Sequence, residues 1–330
     1  MFLDNLDSIH GTTSRQDWGA RWTSIGHAQY LLGDQNLKKG ASAEAIEAWL
    51  CALTSFEVAR RLLEQDGTIG HISVKISDVV ERFASAYEQS VEKVQISCCD
   101  HRITACYLRA GNGDVRAPAV ICLSMEEEPG AVLLGRLLPV VVGRGLSVMV
   151  LSHDDISSQW RGQAELLLSC CLDHLSLRPD VDQGRIGVYG EGLSAVLASD
   201  FAASDDRVAA AVCDGGLWNW ARNEAAIGWI TRSAAPTDEN MISTHRSRFA
   251  GQLRRPVLVV AGGRGMVSVT EAFQLKADCV ATQIDLDVAM PRVTQTSLGD
   301  IENFVISDDC IFGWLKQKLA HNPESQARAQ

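Results

Sequence analysis

One dense set of proton-carrying side chains in the sequence is His153-Asp154-Asp155. An imidazole beside two carboxylates could exchange protons near neutral pH. The same trio invites a metal reading, but adjacent residues seldom converge on one ion, and no metal is expected. A second candidate is Asp214, in Cys213-Asp214-Gly215-Gly216, which reads either as a catalytic carboxylate or as a turn-forming Asp before two glycines. Trp218, Trp220 and Trp229, with Met241 and Phe249, could line an apolar cleft. A lid packed on the core explains those residues equally well. Ten cysteines are scattered without a C-x-x-C pair, and the expectation is small buried hydrophobes in a reducing compartment.

Elements must bring these groups together, and the hydrophobic pattern supplies two kinds. Residues 1–92 read as helical. Ser42 could cap a helix with Ile46, Trp49, Leu50, Leu53, Phe56 and Leu63 along it, mostly three or four apart. Trp18, Trp22, Ile25 and Tyr30 suggest an earlier amphipathic helix, and a further one is expected over 74–91. Beyond residue 93 the period changes. The stretches 94–97 and 103–108 resemble a hairpin. Short apolar runs then alternate with amphipathic stretches: 118–123, 146–151, 185–189, 208–212, 256–260 and 282–286. Strands this apolar, separated by helices, belong to a mostly parallel sheet covered on both faces. In such a sheet ligands bind at the carboxyl ends of the strands, where His153 and Asp214 fall. A Trp-rich insertion occupies 217–250, and the last residues, 320–330, are polar enough to fray.

Composition narrows the partners. Hydrophobic residues at 46% and charged residues at 22% support an ordinary globular core. A formal charge of −11 argues against nucleic acid and anionic membrane surfaces. No apolar run approaches the roughly 20 residues needed to span a bilayer. The N-terminus lacks the basic and apolar regions of a signal peptide, so a cytoplasmic location is expected. The partner expected is a small molecule, and a homodimer is compatible with the sequence.

The segment Arg185-Ile-Gly-Val-Tyr-Gly-Glu-Gly-Leu-Ser194 resembles the strand, turn and helix of an α/β-hydrolase nucleophile elbow. With the helical front, the chain more specifically resembles the group of the fermentation–respiration switch protein and dihydroxypseudooxynicotine hydrolase. Ser42-Ala-Glu-Ala-Ile-Glu-Ala-Trp-Leu-Cys-Ala-Leu53 is similar to that group's cap helix. The resemblance implies an α/β-hydrolase fold with an N-terminal helical cap domain over 1–92 and a core over 93–330.

It also implies a Ser-His-Asp triad, and the matching positions do not supply one. The elbow reads Gly190-Glu191-Gly192-Leu193-Ser194, with glycine at the nucleophile position. The acid position falls in Gly262-Gly263-Arg264-Gly265, at Gly265. The loop expected over 289–307, where the base belongs, has no histidine. The oxyanion loop reads Ser124-Met125-Glu126-Glu127-Glu128, whose carboxylates could repel a developing oxyanion. Substitute acids or bases are Glu191 (otherwise an exposed first-turn glutamate), Asp214, Asp300 and Glu302 in the histidine loop, and His153. Ser194, two residues past the elbow position, is expected to cap or pack rather than attack. The pocket is expected to involve Ser124, Met125, Glu126, Leu193, Trp218 and Trp220.

Three functions remain open. The first is a repurposed enzyme, a cyclase, lyase or rearrangement catalyst acting on an apolar or polyketide-like molecule in specialised metabolism, with no cofactor. The second is a non-catalytic binder of a small ligand or of an active relative. The third is residual ester or C–C hydrolysis.

Overall fold

A computed structural model of the chain describes residues 14–63, 69–98, 101–111, 115–157, 163–215, 253–261, 269–281, 283–290, 293–296, 299–302 and 304–320. The Trp-rich segment 217–250, Gly265 and residues 321–330 lie outside them. The chain divides into two compact units, Met1–Val91 with Ala131–Pro139, and Glu92–Gly130 with Val140–Gln330.

The first unit is helical: α1 (Arg15–Lys38), α2 (Ser42–Leu62), α3 (Ile69–Ala86) and most of α4 (Gly130–Val141). A capping box starts α1, in which the Ser14 hydroxyl accepts the Asp17 N–H and Asp17 accepts the Ser14 N–H. Its end is closed by Ala41 N–H donating to the Asn36 carbonyl at 2.9 Å. Ser42 is not a cap: it is the first helical residue of α2, behind Ala41, which makes no side-chain capping bond.

The packing face of α1 also differs from the one expected. Trp18 and Ile25 are 37% and 45% exposed, while Gly19, Gly26 and Gly33 are buried. A Cβ on these glycines would lie 2.4 Å from Leu63, 2.7 Å from Phe56 and 2.4 Å from Trp49. Their spacing of seven, matched by a spacing of seven in reverse along α2, makes an antiparallel pair whose large residues sit on bare backbone. The third helix runs Ile69–Ala86 rather than 74–91, and Val91 already begins a strand.

The second unit is built on one eight-stranded sheet: β1 (Val91–Cys98), β2 (His101–Leu108), β3 (Ala117–Leu123), β4 (Ser147–Leu151), β5 (Val181–Glu191), β6 (Val208–Asp214), β7 (Val257–Val260) and β8 (Leu286–Ala289). Their order is β1-β2-β4-β3-β5-β6-β7-β8. Strand β2 runs antiparallel to β4, and β4, β3, β5, β6, β7 and β8 are mutually parallel. The connections include α5 (His153–Ser157), α6 (Gln163–Ser176), α7 (Ser194–Ser204) and α8 (Val269–Ala281).

The apolar runs at 118–123, 146–151, 185–189, 208–212 and 256–260 coincide with β3 to β7. Val120, Ile121 and Leu123 are fully buried; each such side chain contributes about 1.5–3 kcal/mol by leaving water. The run at 282–286 is displaced, because the strand there is Leu286–Ala289. The loop expected over 289–307 contains a two-stranded sheet, β9 (Val293–Thr296) against β10 (Gly299–Glu302), followed by α9 (Phe304–Leu319).

The cysteines depart from the expectation of buried thiols in one disulfide pair and in two exposed positions. Cys98, ending β1, is disulfide-bonded to Cys170 of α6, 72 residues away. Cys122, Cys171, Cys213 and Cys279 are buried and outside any disulfide, whereas Cys51 and Cys310 are exposed.

Candidate functional site

Strand β3 is flanked by β4 and β5, and the chain leaves it toward opposite sides of the sheet. In open α/β sheets ligands bind at the carboxyl ends of the strands at such a reversal of strand order. Three segments meet there: residues 124–128 after β3, Ser152 with His153 at the start of α5 after β4, and the turn Gly192-Leu193 between β5 and α7.

The β5 turn has elbow geometry. Gly192 holds φ +61°, a left-handed value that side-chain-bearing residues rarely adopt, and its N–H donates to the Asp214 carbonyl at 2.8 Å. Two residues earlier, a Cβ on Gly190 would lie 2.1 Å from the Ser194 carbonyl oxygen, so α7 can fold this tightly back onto β5 only over a glycine.

The space beside Gly192 is filled by a carboxylate from another loop. Glu126 Oε2 lies 2.5 Å from where a Gly192 Cβ would be and accepts the Leu193 N–H at 3.0 Å. That amide belongs to the residue after the elbow position, one of the donors that stabilise an oxyanion in hydrolases of this kind. Leu193 is the N-cap residue of α7, at the helix end where a negative charge is favoured. The loop carrying Glu126 is itself held unusually, since Glu127 has φ +63°. A left-handed conformation costs a non-glycine residue on the order of 1–2 kcal/mol.

Behind this pair lies a buried hydrogen-bond chain. His153 Nδ1 is 2.7 Å from Ser194 Oγ, and Ser194 Oγ donates to the Ser124 carbonyl at 2.7 Å. Ser124 Oγ accepts the His153 backbone N–H at 3.1 Å and donates to the Glu128 carbonyl at 2.5 Å. Ser124 and Ser194 are fully buried, and His153 nearly so. Burial holds the imidazole below its ordinary pKa, against the opposing pull of the Glu126 and Asp154 carboxylates.

The structure thus brings together Ser124, Met125, Glu126, His153, Gly192, Leu193 and Ser194. Met125 Cβ stands 3.3 Å from the same Cβ position on Gly192. Asp214 ends β6 beside the elbow, buried, and accepts a 3.4 Å hydrogen bond from the buried Tyr189 hydroxyl. Glu191 is not an exposed first-turn glutamate: it is the last residue of β5 and 1% exposed. Asp300 and Glu302 lie on β10, not in an open loop. Gly265, Trp218 and Trp220 lie outside the described residues. Ser194, expected to cap or pack, is buried within the histidine network.

Sequence reasoning missed that Glu126 fits the gap left by glycine at position 192. The available signal was a paired change: an elbow without a side chain and an oxyanion loop with an added carboxylate.

No protein-family model matches the chain, and no curated protein matches it in sequence. Solved structures do. The chain is similar to a 2,6-dihydroxy-pseudo-oxynicotine hydrolase at a TM-score of 0.63 and 17% identity, over 92% of this chain and 88% of that one. It is similar to AbyA5 at a TM-score of 0.55 and 15% identity, over 83% and 80% of the two chains. The Pyrococcus furiosus esterase Pf2001 gives a TM-score of 0.50 and 13% identity, over 72% and 94%. At such identities the likeness speaks for architecture. With the eight-stranded, mostly parallel sheet and the elbow turn after β5, it establishes that this chain has the α/β-hydrolase fold with an N-terminal helical region.

Proposed function

We propose that this protein is a non-hydrolytic enzyme of α/β-hydrolase fold, a lyase, cyclase or rearrangement catalyst in specialised metabolism. It works by proton transfer on an apolar small molecule, with Glu126 as the principal base. The observation that carries the reading is the Glu126 carboxylate beside Gly192, bonded to the Leu193 amide. Acyl transfer needs an attacking atom at the elbow and free donors for the oxyanion. Here the first position has no side chain and one donor is already engaged by an anion. Ser194 does not replace the nucleophile, because its hydroxyl proton is committed to the Ser124 carbonyl.

A carboxylate held at the carboxyl ends of the strands suits proton abstraction, which needs placement and a base but no acyl-enzyme. The small-molecule assignment is supported by fold likeness to a hydrolase whose named substrate is 2,6-dihydroxy-pseudo-oxynicotine. A second reading, a ligand-binding protein without catalysis, is favoured by the way Glu126 closes its own site.

Nitrobenzisoxazole separates the two readings. A base removes its ring C–H proton, that electron pair completes a nitrile, and the N–O bond breaks to release a coloured phenolate. The enzyme reading expects turnover that Glu126→Gln lowers by roughly 10²–10⁴-fold, the usual contribution of a positioned base. Turnover unchanged in Glu126→Gln would contradict the assignment. Absence of turnover in the native protein would favour the binding reading.

A further inference from the structure

We infer that Ser194 is a positioning residue that fixes the tautomer of His153, leaving Nε2 as the unprotonated, proton-accepting atom of the imidazole. This rests on the acid–base reading of the site but is measured apart from it.

The argument is a count of protons. Ser194 Oγ has two close neighbours, the Ser124 carbonyl oxygen at 2.7 Å and His153 Nδ1 at 2.7 Å. A carbonyl oxygen can only accept, and a hydroxyl has one proton to give. If that proton pointed at Nδ1, two oxygens would face each other at hydrogen-bond distance without a proton between them, at a fully buried serine. The arrangement that satisfies all three atoms sends the Ser194 proton to Ser124 and draws the other proton from Nδ1–H. The tautomer follows from the network, as it must wherever hydrogens are placed by their partners.

Ser124 holds both ends of the device. Its carbonyl receives Ser194, while its hydroxyl receives the backbone N–H of His153. The ring is therefore fixed through its Nδ1 and its main chain at once. Nε2 has no hydrogen-bond partner among the described residues. Glu126 from the β3 loop and Asp154 from α5 are the charges that act on the ring. Both are anions that would stabilise a proton received at Nε2.

The same logic holds a catalytic histidine in its working tautomer in serine proteases, where a carboxylate does what Ser194 does here. A neutral serine orients the ring without adding charge, which suits an imidazole kept neutral by burial.

The test is nitrogen NMR of protein containing isotope-labelled histidine, without any ligand, with His153→Gln to assign the signal. The native protein is expected to show the His153 proton on Nδ1 and none on Nε2. Ser194→Thr, which keeps a hydroxyl, should preserve that pattern, and Ser194→Ala should lose it. A native proton on Nε2, or an unchanged Nδ1–H tautomer in folded Ser194→Ala, would overturn the inference. Because no substrate is involved, a failed Glu126→Gln experiment would leave this result standing, and the converse also holds.

Discussion

Gly192→Ala probes the contact between elbow and carboxylate in a way that yields a number. The new methyl group sits at a φ of +61°, which costs an L-residue about 1–2 kcal/mol. Its Cβ would also fall 2.5 Å from Glu126 Oε2, so the carboxylate must swing away and release the Leu193 amide. Swinging the end of a flexible side chain costs little in itself. Losing a hydrogen bond to a charged acceptor costs about 1.5–3 kcal/mol, with the lower end fitting a half-buried site. Gly192→Ala alone should therefore destabilise by roughly 3 kcal/mol. In a Glu126→Ala background the hydrogen bond is already gone, and only the backbone cost of about 1–2 kcal/mol remains. The double-mutant cycle, measured by urea unfolding, should show a coupling of about 1.5 kcal/mol. Hydrogen exchange at the Leu193 amide should accelerate in each single mutant. Additivity within about 0.5 kcal/mol, together with a protected Leu193 amide in Glu126→Ala, would refute the reasoning.

Other outcomes follow from the same geometry. Gly33→Ala places a Cβ 2.4 Å from the buried Trp49 indole and should cost about 1–3 kcal/mol of overpacking, seen as a lowered Tm, while Gly70→Ala meets no atom within 4 Å and should not lower it. The folded pKa of His153 is depressed from 6.5 by burial, so its contribution to stability is full above 6.5 and is lost as pH falls through the folded value. His153→Gln should flatten the decline in urea midpoint below pH 6.5. His174, lowered by burial and by Arg178, should keep part of that slope.

The sheet was legible because doubly covered strands are nearly all apolar: the runs at 118–123 and 208–212 stand out without any tertiary information. Strand β8 is the last in the sheet order among the described residues, and its pattern is weaker; the run at 282–286 drew the reading upstream. The face of α1 was illegible for the opposite reason. Hydrophobic periodicity points to large side chains, and this helix packs through Gly19, Gly26 and Gly33, which have none.

At the site, the sequence showed that position 192 carries no side chain and that position 126 carries a carboxylate. It could not show that one fills the other, because that depends on a loop bent through a left-handed Glu127. The bond between Cys98 and Cys170 was equally hidden, since 72 residues of intervening chain give no local signal of their approach. The Ser194–His153 pair was missed because Ser194 was read by its place on α7 alone, while its partner arrives from the end of β4.

The proposal that this elbow does not run acyl chemistry is tested most directly by Gly192→Ser treated with a fluorophosphonate and with nitrophenyl acetate. The variant puts a hydroxyl where a nucleophile belongs, with Glu126 in its space and His153 Nδ1 already engaged by Ser194. A serine hydroxyl is a weak nucleophile unless a base and free oxyanion donors are aligned with it. Here the Glu126 carboxylate occupies the space the hydroxyl would enter and holds the Leu193 donor, and restoring one member of a cooperative set recovers little. Intact-protein mass spectrometry should show no phosphonyl adduct and no acetyl burst in either the native protein or the variant. A stoichiometric adduct at position 192, with inhibitor-sensitive ester turnover, would mean that a base aligned with the serine and an oxyanion site free of Glu126 stand ready at this elbow, and would contradict the account.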